Sequence, residues 1–166
     1  TSVLAAGAEG GPGRGGYYFV ARSFFSFDVS GITSSVASAT LNIRGRANNS
    51  AKVILIKASK PDGSNLTTAD FDAIPGFSAG NTMSGNVTDY SSYFTPWTTS
   101  GYNSITLNST ALSDLVSLNS FIVALVEFDK NYSNVAPTQD GTQRRVGLYY
   151  QNSSGTSLDP YIDYTL

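Results

Sequence analysis

Residues Phe19–Arg46, FVARSFFSFDVSGITSSVASATLNIRGR, decide how the rest of the chain is read. Phe19, Ala21, Phe25, Phe27 and Val29 recur at a spacing of two, with Arg22, Ser26 and Asp28 on the opposite face. Phe24 is the one apolar residue out of phase. After a short Ser/Thr/Gly loop, Ala37, Ala39, Leu41 and Ile43 alternate with Ser38, Thr40, Asn42 and Arg44. Side chains along a strand point to alternate faces, so this pattern predicts strands at 17–29 and 36–46, each with one buried and one wet face.

Working outward, the segment upstream (TSVLAAGAEGGPGRGG) predicts a short edge strand at Ser2–Ala6 followed by a glycine-rich loop. No Lys-Ser/Thr pair and no helix follows that loop, so it is not a phosphate cradle. Downstream, AKVILIKA at 51–58 is a continuous apolar run, expected for a strand buried on both faces. LTTADFDAI at 66–74 predicts one helical turn with Thr67 or Thr68 as its cap. Thr82–Tyr90 alternates weakly, which suggests a further strand, and Ser91–Tyr102 is a loop dense in aromatic residues. Asn103–Leu107 predicts a short strand. In STALSDLVSLNS, at 109–120, Leu112, Leu115 and Val116 share one helical face. SFIVALVEF at 120–128 is the most apolar run and predicts a central strand. The last two strands fall at Arg145–Gln151 and Tyr161–Leu166, after and before polar turns. About eight short strands at an even tempo predict a single all-β domain over 1–166. The expected architecture is a jelly-roll-like β-sandwich with one or two short helices.

The 166 residues suit one ordinary domain. Charged residues are only 13%, against about 25% in typical chains, so Ser (24), Thr (16) and Asn (12) must supply the polar surface. Net charge is −2 and the basic residues are scattered, which argues against nucleic acid as a partner. No apolar run is long enough for membrane insertion by a helix. The chain has no Cys and no His, which removes disulfides, thiolate metal sites, Ser-His-Asp triads and Cys-His pairs. No carboxylate pair with a clear partner emerges, so the chain does not read as an enzyme. It lacks an initiator Met and a signal pattern, which reads as a processed form or a domain cut from a longer chain.

RSFFSFDVS at 22–30, SATL at 38–41 and the closing DPYIDY at 159–164 together resemble the DNRLRE-type domain. That family is similar to carbohydrate-binding modules and occurs in secreted cell-wall and phage structural proteins. The resemblance runs from about Tyr17 to Leu166. It implies a β-sandwich in an extracellular or virion-surface setting, such as a phage tail or fibre component.

The best functional hint is aromatic. Tyr90, Tyr93, Trp97 and Tyr102 cluster in one segment, and Tyr132 sits near a loop boundary. Sugar rings stack their C–H faces on such side chains while neighbouring Asn and Asp bond the hydroxyls. The competing expectation is that these rings plug the ends of the sandwich. Asp129, Asn131 and Asp140 flank a long loop and are weak candidates for oxygen ligands to a structural Ca²⁺; no cofactor is otherwise expected. Arg22 and Asp28 read as ties to a neighbouring strand or loop rather than as a ligand pair. Six Asn-x-Ser/Thr triplets start at Asn48, Asn65, Asn86, Asn108, Asn131 and Asn152. Two functional classes follow. One is a non-catalytic module for glycan binding or adhesion. The other is a purely structural subunit of a virion or extracellular filament, with neighbouring copies as partners in a homo-oligomer. Residues 1–8 are the candidate for pairing with a neighbour's open sheet edge.

Overall fold

A computed structural model describes residues 3–11, 17–60, 65–78, 80–150 and 157–166. The period-two segments form two antiparallel sheets. The long sheet contains β1 (Val3–Gly10), β2 (Tyr18–Ala21), β4 (Ser38–Asn49), β6 (Tyr102–Thr106), β8 (Gln143–Leu148) and β9 (Tyr161–Thr165). Its order is β2-β1-β8-β4-β6. β8 pairs with the second half of β4 and β9 with the first half, so the two lie end to end along the same side of β4. The short sheet has the order β3-β7-β5, from Ser23–Asp28, Ser120–Glu127 and Val53–Lys57.

The outer edge of β5 is covered by residues 88–94. The Tyr90 and Phe94 N–H groups donate to the Leu55 and Val53 carbonyls, and the Lys57 N–H donates to Thr88 O. With 88–94 as a fourth strand, the chain places strands 1-8-4-6 in one sheet and 3-7-5-(88–94) in the other. That is the strand order of a jelly roll, so the expected all-β sandwich is the fold.

Two apolar layers hold it together. Between the sheets lie Phe25, Leu41, Ile43, Leu55, Ile105, Phe121, Leu125 and Leu148. A second cluster covers the other face of the short sheet: Phe24, Ile54, Ile56, Ala124 and Val126 against Ile74, Met83 and Tyr132. This explains why Phe24 is out of phase. The short sheet is buried on both faces, as the continuous apolar runs at 51–58 and 120–128 require.

Two expectations need correction, and one an extension. The strand expected at 17–29 is two strands in different sheets: the chain crosses over at Arg22, leaving Phe19 39% exposed on β2. The N-terminal strand runs past its expected end to Gly10: among the described residues Val3–Ala6 pair with β8 alone, and β2 folds back on the other side from Gly7 to Gly10. Gly7 and Ala8 therefore have partners on both sides. Residues 82–87 form turns rather than a strand.

The helical expectations hold with adjusted ends. α1 spans Ser109–Ser117, and the Asn108 side chain accepts from the Ala111 N–H at its start. Leu115 is fully buried on its inner face. A 3₁₀ turn covers Thr68–Asp72, where the Asp70 carboxylate accepts from both the Thr67 N–H and its hydroxyl. Among the described residues no helix is long and apolar enough to cross a membrane.

Candidate functional site

The aromatic segment does not form one platform. Trp97 is 3% exposed, and its Nε1 donates to the Gly147 carbonyl at 3.2 Å. Tyr90 is fully buried, stacked on Phe121 with centroids 4.8 Å apart. Its hydroxyl donates to Asp114 Oδ2 at 2.6 Å, and burial together with that carboxylate pushes the phenol far above its usual range. Burial alone would push the Asp114 carboxyl up. Bonds from Tyr90 and Lys57 (Nζ–Oδ2 2.9 Å) and the Lys57 charge outweigh that and leave it lowered. Tyr132 is buried in the second cluster, stacked on Phe128, and donates to Asp89 Oδ2 at 2.8 Å. Burial and Asp89 push its phenol up to about 12. Tyr93 is exposed, but its ring lies against Phe128 and under the Lys52 ammonium. Three of the five expected binding rings are thus interior. The reason is that 88–94 is a strand of the short sheet, which turns Tyr90 inward.

The candidate calcium ligands are engaged separately. Asp129 pairs with Lys52 at 3.0 Å and Arg144 at 3.5 Å. Asn131 Oδ1 accepts from Arg22 Nε. Asp140 Oδ1 accepts from the Thr142 N–H and the Thr138 hydroxyl, closing its own turn and lowering its pKa. Among the described residues no group of three or more acidic residues is placed to hold a metal.

Arg22 behaves as the strand tie expected from sequence. Its side chain is 3% exposed at the crossover between sheets. The guanidinium lies between the rings of Phe71 (4.1 Å) and Phe77 (4.7 Å) and donates to Phe71 O and Asp72 Oδ1, both at 2.8 Å. It thereby fastens the 3₁₀ turn onto the second apolar layer and forms part of a concavity of about 550 Å³ with Phe24, Leu66 and Phe71. Burial lowers its pKa, and Asp72 opposes that shift. Arg22→Lys keeps the charge but loses the planar fork and the stacking. It is expected to cost about 2 kcal/mol in urea unfolding. A loss near zero would show that the clamp contributes nothing. Asp28 instead caps a local turn, accepting from the Ser30 N–H and hydroxyl.

One expected residue, Tyr102, belongs to a different cluster, on the outer face of the long sheet. Arg44 and Asn42 of β4 alternate with the core residues Ile43 and Leu41; Arg44 is half-buried, and Asn42 is buried beneath its neighbours, its Oδ1 accepting from the Ser104 hydroxyl. β6 pairs Tyr102 with Arg44 and Ser104 with Asn42; β9 pairs Tyr161 with Asn42 and Asp163 with Thr40. The rings of Tyr102 and Tyr161 meet edge to face across β4, with centroids 5.2 Å apart. The Tyr102 hydroxyl donates to the carbonyls of Ser157 and Asp159. Burial, with Tyr161 nearby, raises its pKa. Tyr161 is 47% exposed. Arg44 lies 6.0 Å from the Tyr102 ring, and Arg46 lies over Tyr149 at 5.5 Å. Arg44 Nε and Asp159 Oδ1, both beside Tyr102, are buried without hydrogen-bond partners among the described residues. Sequence reading missed Tyr161 and Arg44 as site residues because β4, β6 and β9 are distant in the chain. The available signal was the period-two phase, which places Arg44, Tyr102 and Tyr161 on wet faces.

Of the triplet asparagines, Asn48 donates to Trp97 O, Asn108 caps α1 and Asn131 holds Arg22. Asn152 lies outside the described residues. The fold and this face define a jelly-roll β-sandwich with an aromatic and polar outer sheet surface. Scans of family models, curated proteins and solved structures each return no match to the chain.

Proposed function

We propose that this protein is a non-catalytic surface module, extracellular or on a virion, that binds glycan chains on the outer face of its long sheet. The observation that carries this reading is the Tyr102–Tyr161 pair, with Tyr161 half in water. A pyranose face stacks on the Tyr161 ring, and Arg44, Ser104 and Asp163 flank it with polar groups for hydroxyls. The site has no deep walls, so affinity per module is weak and multivalent display raises it. The resemblance to DNRLRE-type domains supports the same class.

A glycan array displaying the wild-type chain multivalently tests it. Tyr161→Ala is expected to weaken binding about tenfold with the melting temperature unchanged, since the ring is half exposed and leaves no cavity. Absence of any bound glycan would overturn the reading. The alternative, a structural subunit with no small ligand, is favoured by the burial of Trp97, Tyr90 and Tyr132.

A further inference from the structure

Among the described residues β6 ends the long sheet, and no strand pairs with its outer side. Gly45 N–H donates to Gly101 O and Leu107 N–H to Ala39 O. In the β4/β6 register these are the hydrogen-bonded pairs, as are Asn103 with Ile43 and Ile105 with Leu41. By alternation, the N–H and C=O groups of Tyr102, Ser104 and Thr106 point away from β4. A groove of about 320 Å³ runs along that side, with Ser92–Phe94 on one wall and Ser104–Leu107 on the other.

Natural sheets guard such edges with charge, proline, bulges, shortness or a covering segment. Three other edges carry one of these guards. β2 has four residues, β3 ends on Asp28, and β5 is covered by 88–94. β6, five residues long, has neither charge nor Pro in YNSIT, and its register with β4 is unbroken.

We propose that the open edge of β6 pairs with β6 of a second copy of this chain, antiparallel about a two-fold axis. The strand is self-complementary. Ser104 meets Ser104, and Tyr102 meets Thr106 on either side of the axis, each pair exchanging both backbone hydrogen bonds. On the outer face this sets an aromatic ring against a β-branched side chain, a favourable cross-strand pair. No like charges meet anywhere along the strand. Pairing joins the two long sheets into one, with the Tyr102–Tyr161 clusters of both copies on a single continuous surface. The inference does not depend on what that surface binds.

Sedimentation velocity of the wild-type chain up to about 1 mM tests the pairing. A concentration-dependent dimer is expected. Ser104→Lys and Ser104→Glu each set like charges face to face across the axis, so each variant alone is expected to be monomeric. A one-to-one mixture of the two is expected to dimerise again. Thr106→Pro removes an outward N–H without touching the β4 ladder and is also expected to give a folded monomer by circular dichroism. Hydrogen exchange at the Tyr102, Ser104 and Thr106 amides is expected to be at least tenfold slower in the wild type than in these variants. A wild-type chain monomeric at every concentration would overturn the proposal. So would a dimer that survives both charge variants, or edge amides that exchange equally fast in all chains. Edge amides protected in a monomer only by an added unrelated peptide would replace the second copy with a foreign strand.

Discussion

Trp97→Ala is expected to lower the unfolding free energy by about 3–5 kcal/mol, the usual cost of emptying a large aromatic site in a core. The ring is 3% exposed, lies edge-on to Phe94 and belongs to the layer between the sheets. Its loss also leaves the Gly147 carbonyl without the indole donor. The site is tightly built: a Cβ at Gly45 would stand 2.8 Å from the indole nitrogen and 1.8 Å from Thr98 O, so the backbone of β4 comes close there and cannot collapse into the gap. Against a total stability of about 5–15 kcal/mol, the variant would sit near its unfolding threshold. Urea unfolding followed by far-ultraviolet circular dichroism measures this, because the chain has only one Trp to fluoresce. A loss below about 1 kcal/mol would mean that the ring is not a core element. For the same reason Trp97→Ala is a poor probe of ligand binding, and Tyr161→Ala is the better one.

Glu127→Ala is expected to cost about 3–5 kcal/mol by leaving buried donors without an acceptor. Glu127 is fully buried at the end of β7. One carboxylate oxygen accepts from the Asp129 N–H at 3.0 Å. The other accepts from the Lys130 and Asn131 N–H groups at 2.7 and 3.1 Å. These bonds wind residues 128–132 into the single wide turn that seats Tyr132 on the second apolar layer. Burial pushes the Glu127 carboxyl above its ordinary 4.5, and the Asp129 charge adds to this; the three N–H bonds only partly oppose it.

The sign of the pH effect follows. A folded-state pKa above the unfolded one means that the native state holds the extra proton between the two values. The Glu127 contribution to stability therefore falls as pH rises from about 4.5 through the folded pKa, and is level above it. Glu127→Gln keeps one carbonyl oxygen, loses this titration and is expected to cost about 1–3 kcal/mol. The gap between wild type and Gln variant should narrow as pH rises through that window. A gap that widens with pH would contradict the buried, raised-pKa carboxyl.

The alternation in residues 19–46 carried the strands, and the unbroken apolar runs at 51–58 and 120–128 carried the doubly covered short sheet. The absence of His and Cys narrowed the chemistry before any coordinates. These are local quantities: phase and hydrophobicity state how many faces of a strand are dry, wherever that strand later goes. The break at Arg22 was hidden because a strand that changes sheets keeps the same two-residue rhythm on both sides of the crossing. Phase put Arg44 on a wet face, but Tyr102 was read as the end of an aromatic loop and nothing local tied it to Tyr161.

Pairing was decided by the fold alone. Only the antiparallel registers of β4 with β6 and with β9 bring Tyr102 and Tyr161 together across Arg44 and Asn42. Only the pairing of 88–94 with β5 turns Tyr90 into the core. A strand's own residues determine which side is oily; its neighbours are chosen by the global fit of two sheets around shared apolar layers, a long-range condition that no local pattern encodes.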